Sequence, residues 1–139
     1  MKLASRKTIS VSEQRRNNLQ LERARAVAVR DMYPALGQLQ VSLVFNDGSL
    51  RTPSPQSHTF FPAARAFFRF TCPCAECDGN FDLREPVSEL VTSLSRSRRG
   101  AARQTKGRLS CEGVRLRDRV GSRPCPMKLE YELTATAAE

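Results

Sequence analysis

Residues 68–79 read FRFTCPCAECDG, and that stretch governs how the rest of the chain is read. Cys72, Cys74 and Cys77 fall within six positions, between an alternating aromatic run and an Asp78-Gly79 turn. Cysteine often serves as a small buried hydrophobe, but that role gives no reason for such crowding. A tight turn presenting thiolates to a metal ion does. Cys111 and Cys125 follow later, bringing the total to five. Five is odd, so no set of intrachain disulfides uses them all. The opening MKLASRKTISVSEQRRNN is basic but has no apolar core, so a secretory signal is not expected, and Glu13 and Glu22 count against an organelle transit peptide. The expected compartment is therefore reducing and cytoplasmic, where clustered cysteines bind metal more often than they cross-link.

Working outward, Ala66, Phe68, Phe70 and Cys72 share one face of a strand expected over 63–72, with Arg65, Phe67, Arg69 and Thr71 on the other. Downstream, Leu83, Val87, Leu90, Val91 and Leu94 fall on one helical stripe, and Pro86 sits near the first turn, where its missing N–H is harmless. The stretch SRSRRGAARQTKG beyond Leu94 has no apolar periodicity and reads as a surface loop, with a short strand at 108–111. Met127, Leu129, Tyr131 and Leu133 then alternate with Lys128, Glu130, Glu132 and Thr134, the clearest half-buried strand in the chain.

Upstream, Ser10 and Glu13 form a capping box for a helix running to Met32, with Leu21, Ala24, Ala28 and Met32 at helical spacing and Pro34 as its stop. The Ala26–Val29 stretch, AVAV, also suits a strand. Leu39, Val41, Leu43 and Phe45 alternate as a second half-buried strand, Asn46-Asp47-Gly48 makes a turn, and TPSPQSH (52–58) reads as a proline-rich loop. The fold class is α+β: a small antiparallel sheet with helices over one face. The expected organisation is a basic helical arm over 1–36 and a metal-binding α+β domain over 37–139, carrying a basic loop at 96–123.

Structural zinc takes four soft donors in a tetrahedron, usually as two pairs on separate turns. Phe70-Thr71-Cys72-Pro73 through Cys77-Asp78-Gly79, answered by Leu109-Ser110-Cys111 and Pro124-Cys125-Pro126, resembles zinc-ribbon-like proteins with four-cysteine sites over roughly residues 68–133, at the level of motif. The expected ligands are Cys72, Cys77, Cys111 and Cys125, with Cys74 as the alternative to Cys72. In an ordinary ribbon the second pair is also close in sequence; here thirteen residues separate Cys111 from Cys125. The spacing fits neither common ferredoxin pattern, which argues against an iron–sulfur cluster. A redox-switching set of thiols is a further reading.

The formal charge is +9 and lies in two places. Residues 1–30 hold eight Lys or Arg against two Glu, and residues 96–123 hold ten against two acids. A cationic segment is what phosphate neutralisation requires, so Arg96, Arg98, Arg99, Arg103, Lys106, Arg108, Arg115, Arg117 and Arg119 make RNA or DNA an expected partner. Phe67 between Arg65 and Arg69 would offer a stacking platform for an unpaired base. The competing reading is a protein partner docked on the first helix. No apolar run is long enough for a bilayer, so no membrane partner is expected. Nor is an enzyme: four thiolates would close the metal's shell, and no phosphate-cradling glycine loop, nucleophile elbow or His-Glu-x-x-His motif occurs. His58, the only histidine, reads as a surface residue rather than a ligand.

Overall fold

The computed structural model describes residues 11–46, 55–73, 79–94, 101–112, 114–115 and 123–138. In chain order the elements are α1 (Val11–Arg25), α2 (Val29–Met32), β1 (Leu36–Asn46), β2 (Gln56–Phe60), β3 (Arg69–Thr71), β4 (Asn80–Asp82), α3 (Arg84–Leu94), β5 (Ala102–Ser110), β6 (Val114–Arg115), β7 (Arg123–Pro124) and β8 (Lys128–Ala137). The main sheet has four antiparallel strands in the order β2-β1-β8-β5; β3 with β4, and β6 with β7, form two-stranded ribbons. The α+β class with a small antiparallel sheet is as expected.

Alternation sets the core face. Leu39, Val41, Leu43 and Phe45 of β1 are buried beside Leu129, Leu133, Ala135 and Ala137 of β8. Leu36 is buried too, although it lies three positions from Leu39. A bulge between Leu36 and Gln38 supplies the extra residue that flips the parity. Gly37 sits in that bulge, where an added Cβ would lie 2.9 Å from the carbonyl oxygen of Ala137. Val87, Leu90, Val91 and Leu94 of α3 cover β5 and β8, and Phe68, Phe81 and Leu83 fill the core beside them. Val29, from the expected arm, is buried in the same core.

Several expectations need correction. The first helix does not run to Met32: it stops at Arg25, and α2 is a separate turn of four residues. Ala28 between them is extended and bridges Arg65, while the Val29 and Ala66 amides donate to Ala64 and Val27 carbonyls. The AVAV stretch, with its β-branched valines, thus pairs with the chain at 64–66 instead of continuing the helix. Ser10 lies outside the described residues. Gln56–His58, the end of the loop expected over 52–58, belong to the edge strand β2 (Gln56–Phe60). Of the strand expected over 63–72 only Arg69–Thr71 is laddered, yet the alternation of burial persists, with Ala66, Phe68 and Cys72 buried.

The expected loop at 96–123 changes most. Ala102–Ser110 is the nine-residue edge strand β5, paired along its length with β8. Its sequence hides this because its only large apolar side chain is Leu109. One face is open to solvent, and on the other Tyr131 lies over Gly107, doing the covering that a side chain on β5 would otherwise do. Residues 95–100 lie outside the described set.

Candidate metal centre

Three of the five cysteines converge where two hairpins meet. Cys72 follows β3, and its amide donates to the Gly79 carbonyl, extending the β3–β4 ribbon by a step. Cys111 follows β5, and its amide donates to Met127, extending the β5–β8 ladder in the same way. Cys125 lies between β7 and β8. All three are buried and none is in a disulfide.

Their Sγ atoms lie within 4.8 Å of one another, with Cys72 and Cys125 at 3.8 Å. A disulfide holds its sulfurs at about 2.05 Å. Four thiolates about 2.3 Å from a tetrahedral metal stand about 3.8 Å apart. Cys72 and Cys125 thus have the spacing of two corners of such a tetrahedron, and the triad is close enough to bind a metal ion. Cys74 and Cys77 lie outside the described residues; in sequence both fall between Cys72 and Gly79, the two positions joined by the backbone hydrogen bond.

The wide spacing of Cys111 and Cys125 has a local cause. Val114 pairs with Pro124 and Arg115 with Arg123, so the intervening chain doubles back as its own ribbon and returns Cys125 to Cys111. Length inserted in a hairpin this way leaves its base intact. Comparisons with protein-family models, curated proteins and solved structures find no match. The chemistry of the site must come from its own residues.

Polar contacts join α1 to the ribbon that carries Cys72. Glu22 accepts from Arg69 Nη1 at 2.6 Å and from Arg84 Nη1 at 3.3 Å, while Arg69 Nε donates to Asn80 Oδ1. Asp82 accepts the Arg84 amide at 3.0 Å and its guanidinium, tying the start of α3 to β4. Partial burial pushes the Asp82 carboxyl up, but hydrogen bonds and charge from Arg84, with Arg69 beyond, outweigh it and hold its pKa below the usual carboxylate value. Tyr131 titrates above the ordinary tyrosine value because of burial, then of Glu89 and Glu85 nearby.

Of the expected nucleic-acid residues only Arg103, Lys106 and Arg108 have described side chains. Arg96, Arg98, Arg99, Arg117 and Arg119 lie outside the described residues, and of Arg115 only the strand position in β6 is described. Lys106 and Arg108 share the open face of β5, but each stands against an acid of β8: Lys106 Nζ is 4.0 Å from Glu132, and Arg108 Nε is 3.3 Å from Glu130. Gln104 also donates to Glu132. Arg103, an odd number of positions away, belongs to the opposite face. The charged alternation at 128–132 is visible in the sequence; that it faces a basic strand is not, because β5 reads as loop.

His58 is also corrected. It lies in β2 opposite Val41, half-buried, with its ring 5.1 Å from that of Phe70. Among the described residues its Nε2 is the one buried side-chain nitrogen or oxygen without a hydrogen-bond partner, a state that costs about 1–3 kcal/mol.

Proposed function

We propose that this chain is a non-catalytic zinc-binding protein of the cytoplasm that binds RNA or DNA through its basic segments. The observation that carries the zinc reading is the buried triad of Cys72, Cys111 and Cys125 with sulfur spacing suited to a tetrahedral thiolate site. Cys77 is the fourth ligand, because a turn closed by Cys72 and Gly79 needs one more donor from within it; Cys74, on sequence alone the alternative to Cys72, becomes the alternative to Cys77 once Cys72 lies in the triad. Two hairpin ends supplying the ligands support a zinc-ribbon-like arrangement, with the β6–β7 ribbon inserted in the second hairpin. Zinc suits an all-thiolate shell of this kind, and a filled shell leaves no position for substrate. The site would then be a fastener between the sheet and the β3–β4 ribbon.

The nucleic-acid reading draws on the excess of ten bases over two acids at 96–123. One observation favours the second reading, a protein partner on the N-terminal helical region: Leu21, Val27 and Met32 are about half exposed, at 51%, 48% and 47%. Pull-down from native lysate with and without nuclease separates the two. Recovery of nucleic acid, with co-purifying proteins lost on nuclease treatment, supports the first; a protein partner that survives nuclease favours the second.

A further inference from the structure

Beside the edge strand β2 lies a cavity of about 730 Å³, within the size range of small-molecule sites. Three arginines line it, Arg23, Arg65 and Arg69, and among the described residues no carboxylate does. The neighbouring cavity under α1 is different, mixing Glu22, Asp82 and Glu112 with Arg15 and Arg69. The apolar part of the wall is aromatic. Phe70 packs against the core, but Phe67 is half-buried, is not among the aromatic side chains packed on the core, and stands between Arg65 and Arg69 in the cavity lining. His58 is in the same wall, its buried Nε2 without a hydrogen-bond partner among the described residues.

The arginines differ in how far they are committed. Arg65 Nη1 caps the end of α1 by donating to the Arg23 and Ala24 carbonyls, and Arg69 is held by Glu22 and Asn80. Two guanidinium groups are thus fixed in place with donors left over, since each carries five. The Arg23 side chain is exposed at the rim. With Arg69 paired to Glu22, the fixed Arg65 and the exposed Arg23 are the cations left beside the aromatic face of Phe67, and together they suit one chemistry: a phosphate attached to a planar base.

We infer that this cavity takes one unpaired nucleotide, its base stacked on Phe67 and its phosphate held by Arg23 and Arg65. The inference rests on the nucleic-acid reading above but places a contact at the β2 edge, the far side of the sheet from β5. The ligand is a free nucleotide or a nucleotide within a single strand, and the same experiment tells them apart.

The test uses the full-length, metal-loaded protein in low salt. Binding of uridine monophosphate by calorimetry, and of a fluorescent eight-nucleotide uridine strand by anisotropy, is compared for wild type, Phe67→Ala, Phe67→Tyr and Arg23→Glu. A hairpin duplex serves as the paired control, and metal content and melting temperature verify folding. Loss of one stacking contact weakens binding about tenfold, so Phe67→Ala should fall by that factor and Phe67→Tyr should recover it. Arg23→Glu should weaken both ligands, and the duplex should be indifferent to Phe67. Tighter binding of the strand than of the monophosphate assigns the cavity to single strands; the reverse assigns it to free nucleotides. Strand binding unaffected by Phe67→Ala and Arg23→Glu overturns this inference and leaves the basic-segment reading standing. No binding of the monophosphate, the strand or the duplex by wild type overturns both.

Discussion

The sulfur of Cys72 stands 3.8 Å from the sulfur of Cys125, across 53 positions of sequence. Cys72 is placed by the β3–β4 ribbon and Cys125 by the chain leading into β8, so a metal at this point would join the two. Protein purified without added metal should carry about one equivalent of zinc by elemental analysis. Because binding energy is folding energy in small metal domains, Cys111→Ser or Cys125→Ser should abolish the metal and the cooperative melt. Cys77→Ser should do the same, and Cys74→Ser should be mild; the opposite ranking would move the fourth ligand to Cys74. Iron, or no metal, would end the zinc reading.

Gly107 lies opposite Tyr131, and a Cβ there would collide with the tyrosine ring. Valine favours strands in general, so at an open edge position Gly107→Val would stabilise. Here it should destabilise by about 1–3 kcal/mol, the usual cost of overpacking, read by urea denaturation of metal-loaded protein. In the Tyr131→Ala background the penalty should shrink, since the two residues share one space. A stabilising Gly107→Val would mean that the Tyr131 ring moves aside from β5 at little cost.

Asp82 accepts the Arg84 amide at the start of α3, so Asp82→Ala should cost about 1 kcal/mol, the typical value of such an acceptor. Its lowered native pKa fixes the sign of the pH dependence. The ionic contribution is fully present above the ordinary value of 3.8 and is lost only as the pH falls through the lower native value. Wild type should therefore exceed Asp82→Asn in stability by the same margin at pH 7 and pH 5. A margin already gone at pH 5 would place the native pKa above the ordinary value and contradict the Arg84 pairing.

Legibility in the sequence follows burial. Strands β1 and β8 announce themselves because each buries one face, and α3 because its stripe of Leu and Val meets the sheet. Strand β5 is hidden for the opposite reason: as an edge strand it is held by backbone pairing to β8, by Glu130 and Glu132 across the ladder, and by a tyrosine from its neighbour. None of that leaves a period of two in its own residues. The first helix reads too long because Ala26–Val29 satisfies helical spacing while its amides and carbonyls pair with the chain at 64–66. The convergence of Cys72 with Cys111 and Cys125 is legible from their positions at strand ends. The cavity at the β2 edge is only half legible: Phe67 between two arginines is readable, but Arg23 comes to it from another element.

The basic segment leads to a prediction in which the acids of β8 matter as much as the arginines. If residues 96–123 bind polyanions, log K should fall linearly with log salt, by about 0.7 per neutralised phosphate on single strands and about 0.9 on duplexes. Reversing Arg98, Arg99 and Arg103 to Glu should remove up to three contacts and flatten the slope by about 2 to 3, with metal content unchanged. Lys106 and Arg108 are different, because Glu132 and Glu130 already neutralise part of their charge on the same face. Their individual loss should change affinity less than loss of Arg98 or Arg99. Conversely, Glu130→Gln with Glu132→Gln should uncover them and strengthen binding, steepening the slope by about 1 to 2. Fluorescence anisotropy from low to moderate salt measures each of these. Binding that weakens when the two glutamates are neutralised would exclude the open face of the sheet, and indifference to the triple reversal would exclude the segment.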